Sequence, residues 1–101
     1  MILKPGQRLQ SVVDDTNVVV VKAGSGEVDL RCGGQPMVAV GEKVDRVAAT
    51  DTEGGGTQMG KRYEDAEQTL ELLVTKAGGN PLAVGETRLE LKDAKPLPSS
   101  D

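Results

Sequence analysis

Two stretches of this chain repeat one arrangement of apolar and polar positions. In the first, residues 17–40, four consecutive valines (Val18 to Val21) lead into Lys22-Ala23-Gly24-Ser25-Gly26, after which Val28, Leu30 and Cys32 alternate with Asp29 and Arg31. β-Branched side chains pack well on a pleated surface, so the valine run predicts a central strand. Glycines able to take positive φ, followed by period-two alternation, predict a turn and a return strand, read together as a hairpin. Gly33-Gly34-Gln35-Pro36 turns the chain again, and Met37 to Val40 forms a third apolar segment closed by Gly41.

In the second stretch, residues 70–92, an apolar run again meets Lys-Ala-Gly, at Lys76, Ala77 and Gly78. A short alternating segment with Leu82 and Val84 follows, set against Val28 and Leu30 of the first copy. A glycine turn then leads to Leu89 and Leu91 between Arg88, Glu90 and Lys92. The match needs a small gap near the second turn, and it suggests an internal duplication of a three-strand unit. Coincidence in a glycine-rich chain is the competing explanation.

Outside the copies, Lys4-Pro5-Gly6-Gln7 reads as a turn, with Ile2 and Leu3 before it placed to pair onto an edge. Leu9, Ser11 and Val13 alternate with their neighbours as a strand ended by the polar turn Asp14 to Asn17, where solvated carboxylates are the expected reading of Asp14 and Asp15. Val44 and Val47 to Ala49 allow one more strand. Residues 50–68 form a polar, glycine-rich loop joining the copies; a connection of that length is usually functional or mobile. Residues 63–77 carry a conflict. Glu64 to Leu73 contains good helix formers and Gly78 is placed to cap a helix. The correspondence with the valine strand instead favours a strand over 69–75.

The expected fold is a single all-β domain over residues 1–92, a small barrel or sandwich of about six to eight short strands. An extended, proline-containing tail occupies 93–101.

Composition changes this picture in two ways. Phe and Trp are absent and Tyr63 is the only aromatic residue, so the core must be assembled from small aliphatic side chains. A thin core of that kind gains from added subunits, which predicts a homodimer or inclusion in a larger complex. Sixteen acidic against twelve basic residues, net charge -4, with the cations scattered, argue against a nucleic-acid partner. No apolar run approaches the roughly 20 residues of a helical membrane span, and Met1 to Pro5 is too short for a secretory leader. One cysteine cannot form an internal disulfide, in keeping with a cytoplasmic protein.

Candidate chemistry is sparse. Without histidine, Ser-His-Asp and Cys-His catalysis are excluded within one chain, as are His-containing metal sites. No catalytic set, metal site or cofactor is expected. Cys32 is the candidate reactive thiol, since glycines follow it and Arg31 would favour a thiolate; its alternation with Val28 and Leu30 instead predicts a small buried hydrophobe. Gly55 to Lys61 has the spacing G-x-x-x-x-G-K of a phosphate loop, carried by Gly55, Gly60 and Lys61, but Arg62 stands where Ser or Thr is required. Tyr63, flanked by Lys61 and Arg62, is either a contact anchor or an aromatic cap over the core edge. The favoured function is a non-catalytic binding or accessory module acting through protein–protein contact. A thiol-dependent enzyme or carrier using Cys32 is the first alternative, and phosphate or nucleotide binding at Gly55 to Lys61 the second.

Overall fold

A computed structural model describes residues 2–24, 26–52, 56–65 and 67–92; Gly55 and the tail 93–101 lie outside the described residues. All its regular structure is strand, in ten short pieces: β1 (Arg8–Gln10), β2 (Asn17–Lys22), β3 (Leu30–Cys32), β4 (Gln35–Pro36), β5 (Val38–Ala39), β6 (Arg62–Glu64), β7 (Glu71–Lys76), β8 (Leu82–Val84), β9 (Thr87–Arg88) and β10 (Glu90–Leu91). They form two antiparallel sheets, one of six strands in the order β10-β6-β7-β2-β1-β5 and one of four in the order β4-β3-β8-β9. The fold is therefore all-β, as expected, an open pair of sheets and not a closed barrel.

Each sheet order reads the same from both ends when β1 to β5 are exchanged with β6 to β10. The hydrogen bonds repeat accordingly. Gly6 N donates to Val20 O at 2.7 Å and Gly60 N to Val74 O at 2.8 Å; Met37 N donates to Leu30 O at 3.0 Å and Leu89 N to Leu82 O at 2.9 Å. The units meet on themselves: β2 pairs β7 through Val19↔Leu73, and β3 pairs β8 through Arg31↔Ala83. Even the irregularities are shared, since Asn17↔Lys76 and Lys22↔Glu71 flank the β2·β7 ladder at equivalent places. The molecule is thus built from two five-strand units around a pseudo-twofold axis passing between Val19 and Leu73.

Strand formation follows from the period-two pattern. In β2 and β7, Val18, Val20, Leu72 and Val74 face inward and are buried, while Val19 and Leu73 face outward and are half-buried. The core comes as matched pairs from the two units: Leu9 with Tyr63, Val18 with Leu72, Val20 with Val74, Leu30 with Leu82, Met37 with Leu89. Met37 and Leu89 sit where β4 passes into β5 and β9 into β10, so the last segment of each unit crosses from the small sheet to the large one. That crossing joins the two sheets over one core.

Five sequence expectations need correction. The valine strand and the segment at Leu30 are not a hairpin; β2 and β3 lie in different sheets, and Ala23 to Asp29 carries the chain between them. The repeat is larger than three strands, because β1 and β6 belong to it. The register of the copies also shifts: Leu30 and Cys32, not Val28 and Leu30, correspond to Leu82 and Val84, since the chain is two residues shorter between Gly78 and Leu82 than between Gly24 and Leu30. Finally, residues 50–68 are not all loop. Arg62 to Glu64 form β6, whose partner β7 supplies the ladder that their polar sequence hides, while Val44 and Val47 to Ala49 form no strand. The strand reading of 69–75 prevails over the helix, because Leu70, Leu72 and Val74 are all buried at a spacing of two.

Candidate functional site

The two units differ where they are not required to. The turn from β6 to β7 is held by Asp65, which accepts from Thr69 N at 2.8 Å, Leu70 N at 3.1 Å and Thr69 Oγ1 at 2.7 Å. Those bonds outweigh the effect of burial, which alone would raise it, and hold the Asp65 carboxyl below its ordinary value. Inside this turn Leu70 is buried in the core and shares one hollow with Val28 and Val84, its rim formed by Glu27, Asp65 and Thr87. In the first unit the same places hold Thr16 for Leu70 and Cys32 for Val84, and Asn80 of the second unit stands for Val28. The result is a polar cluster where the fold accepts hydrocarbon.

Asp14 is its hub. Its Oδ2 accepts from Asn80 Nδ2 at 2.7 Å and Asn80 N at 3.1 Å, and its Oδ1 accepts from Thr16 N at 3.0 Å. Burial would raise this carboxyl, but the hydrogen bonds from Thr16, Asn80 and Ser11 prevail and keep it ionised below the usual range. The Cys32 thiol donates toward Asp14 Oδ1 at 3.9 Å and Asn80 O at 3.8 Å. Burial, together with the nearby Asp14 charge, pushes the thiol up, so it is protonated at neutral pH. The Thr16 side chain is fully buried beside Asp14 and Cys32 and completes the cluster. Since Asp14 and Cys32 come from one unit and Asn80 from the other, the cluster latches the units together on one side of the axis only.

The residues singled out in the sequence do not converge. Cys32 is 0% exposed and belongs to the core. Tyr63 is buried, with Leu72 and Leu91 opposite it on the neighbouring strands, and its hydroxyl accepts from Gln58 N at 3.0 Å. Around the glycine loop, Thr57 N donates to Gly78 O, Gly60 N to Val74 O and Lys61 N to Gln58 O, so these amides are engaged in the fold, and β6 rather than a helix follows. Lys61 is exposed beside this turn. Arg62 reaches Glu71 Oε2 at 3.2 Å across the ladder, while Lys92 reaches Glu71 Oε1 at 2.6 Å. The Lys92 hydrogen bond, ahead of the Coulombic help of Arg62, holds Glu71 below the ordinary carboxylate range. Among the described residues no cluster of acidic or cysteine side chains is arranged to hold a metal ion, and no helix is long and apolar enough to cross a membrane.

What sequence reasoning passed over is the outer face of the six-stranded sheet. Its middle row runs Arg62, Leu73, Val19, Arg8 across the pseudo-axis. Val40 extends the row beyond Arg8, to which its amide is bonded, and Val21 lies along β2 next to Lys22. Val21 is 38% and Val40 45% exposed. Arg8 stands in this row, exposed and without an ion-pair partner among the described residues, whereas Glu64 and Glu90 lie on the β6–β10 side and Lys76 lines a separate hollow with Asp14, Asp15 and Glu42. The signal was present in the valine run: four apolar residues in a row place two on each face, and one sheet face has nothing within the unit to cover it.

No protein-family model matches the chain, and neither a curated protein nor a solved structure is similar to it.

Proposed function

We propose that this chain is a non-catalytic binding module of the cytoplasm that contacts a protein partner through the outer face of its six-stranded sheet. The observation that carries the reading is the aliphatic pair Val19 and Leu73 at the pseudo-axis of that face, set between Arg62 and Arg8, with Val21 exposed along β2 and Val40 exposed beyond Arg8. Apolar centres with charged surroundings are typical of contact surfaces, and covering what remains exposed of these side chains adds only part of the roughly 1.5–3 kcal/mol that full burial of an aliphatic side chain contributes. Arg8, which has no ion-pair partner among the described residues, favours a partner that brings a carboxylate to the β1 side of the face. The buried, protonated Cys32 supports a binding role over a thiol-dependent one.

Photo-crosslinking in cells tests this directly. A photoreactive residue at position 21 is expected to give a discrete protein adduct, and one at Glu86, exposed near the four-stranded sheet, none. Adducts from neither position, or from Glu86 alone, would overturn the assignment of the face.

A further inference from the structure

We propose that the chain also associates with a second copy of itself by exchanging whole units, the first unit of one copy pairing with the second unit of the other. This goes beyond the binding reading above, because it uses the ladders inside the molecule and leaves the outer sheet face free.

Three observations carry it. First, everything that joins the units in the sheets is a ladder between chemically equivalent strands, β2·β7 and β3·β8. An exchange breaks these ladders within one chain and reforms the same ones between two, so no interaction is lost. Second, the chain passes between units once, after β5 and before β6. The connection is bonded to the first unit through Asp51, whose amide donates to Gly33 O while its carboxylate reaches across to Arg88 of β9 at 2.7 Å, and to the second from Thr57, whose amide donates to Gly78 O. Exchange of identical elements between two copies of such self-complementary halves is a low-cost route to a dimer. Third, the side-chain contact of Asp14 with Asn80, Asn80 Nδ2 donating at 2.7 Å and Asn80 N at 3.1 Å, joins the units between chemically distinct residues, and it too reforms unchanged between two copies. What opposes exchange is the high effective concentration of the two halves within one chain, of roughly millimolar order.

The lone cysteine supplies the test. Cys32 and Leu82 face each other across β3·β8, and the bond from Gly33 N to Pro81 O makes them a non-hydrogen-bonded pair. The Cα atoms of such a pair are about 4.5 Å apart, within disulfide range. The Leu82→Cys variant is unfolded in acidic urea, refolded at a series of protein concentrations, and only then oxidised. On a non-reducing denaturing gel, dimer linked between chains is expected, rising about tenfold for each tenfold step in concentration until it levels off near the effective concentration. Disulfide confined to single chains at every concentration would overturn the exchange. Because Leu82→Cys removes core volume, the unmodified chain is refolded in parallel and sedimented after dilution. A doubled mass that persists, and that survives Leu73→Arg, supports exchange; monomer throughout overturns it. A dimer abolished by Leu73→Arg, with its disulfides within chains, also overturns exchange and leaves the outer-face reading standing.

Discussion

Cys32 is the residue on which the functional alternatives turn, and its counterpart in the second unit, Val84, shows what the site tolerates. With hydrocarbon accepted at one copy, Cys32→Val is expected to change stability by less than about 1.5 kcal/mol in a urea melt, as volume-conserving swaps do. Correspondingly, the native thiol should be unreactive toward an aromatic disulfide reagent at neutral pH and react fully once the chain is unfolded; rapid native reaction would reopen the thiol alternative. Glycine 33 is constrained differently. Its φ is +62°, and an added Cβ would lie 2.8 Å from Val13 Cγ2 and 3.1 Å from Ala49 Cβ. Gly6, with φ +88°, has open space around it. Both carry the left-handed strain, roughly 1 kcal/mol for an L-residue, but only Gly33→Ala adds a clash. Thermal melts should therefore show Gly33→Ala losing clearly more than Gly6→Ala. At Tyr63, removing the ring is expected to cost about 3–5 kcal/mol and removing the hydroxyl alone, which orphans the Gln58 amide, about 1 kcal/mol. The larger loss is the signature of a core cap.

At the scale of the element, β10 is an edge strand held by a ladder of two residue pairs with β6 and by the Lys92–Glu71–Arg62 ion triad. Glu71 titrates below its unfolded value, so the triad contributes stability that is fully present above the unfolded carboxylate range and is lost as pH falls through the folded one. The same sign holds for Asp14 in the latch. Urea melts from pH 7 down to pH 3 should show stability falling, with Glu71→Gln lower at pH 7 and flatter below the range. A rise in stability on acidification would contradict both assignments. Elements were legible in the sequence wherever side chains alternate on a buried face: β2, β7 and β8 are marked by Val18 and Val20, Leu72 and Val74, Leu82 and Val84. They were illegible where strands are only two or three residues long and lean on tertiary partners. Arg62-Tyr63-Glu64 has one apolar side chain, and nothing local distinguishes it from the loop around it; only its equivalence to Arg8-Leu9-Gln10 reveals a strand. The hairpin reading failed for a related reason, since a glycine-rich connection of several residues links strands in different sheets as readily as neighbours in one.

For the whole molecule, duplication explains how a chain with one aromatic residue builds a core. Each unit alone exposes β2 or β7 and β3 or β8 along a full ladder, and pairing the units closes both at once, leaving only the short edge strands β5, β10, β4 and β9. The same symmetry locates what is not structural: the Asp14–Cys32–Asn80 latch departs from its apolar twin, and the outer face stays uncovered at the axis. Of the candidate residues named from the sequence, Arg62 alone lies on that face, beside Leu73, while Cys32 and Tyr63 are buried and Gly60 and Lys61 belong to the turn before β6. Motif spacing finds reactive groups, whereas a contact face is defined by strand register. The pseudo-twofold pairing of β3 with β8 underlies the fold, the open face and the exchange alike, and proton–proton contacts in solution read it most directly. Strong Hα–Hα contacts are expected between Cys32 and Leu82 and between Leu30 and Val84, the pairs flanked by the bonds from Gly33 N to Pro81 O and Gly85 N to Asp29 O. Contacts linking Leu30 or Cys32 to the β2 valines in place of β8, as a hairpin within the first unit would give, would contradict the two-unit architecture.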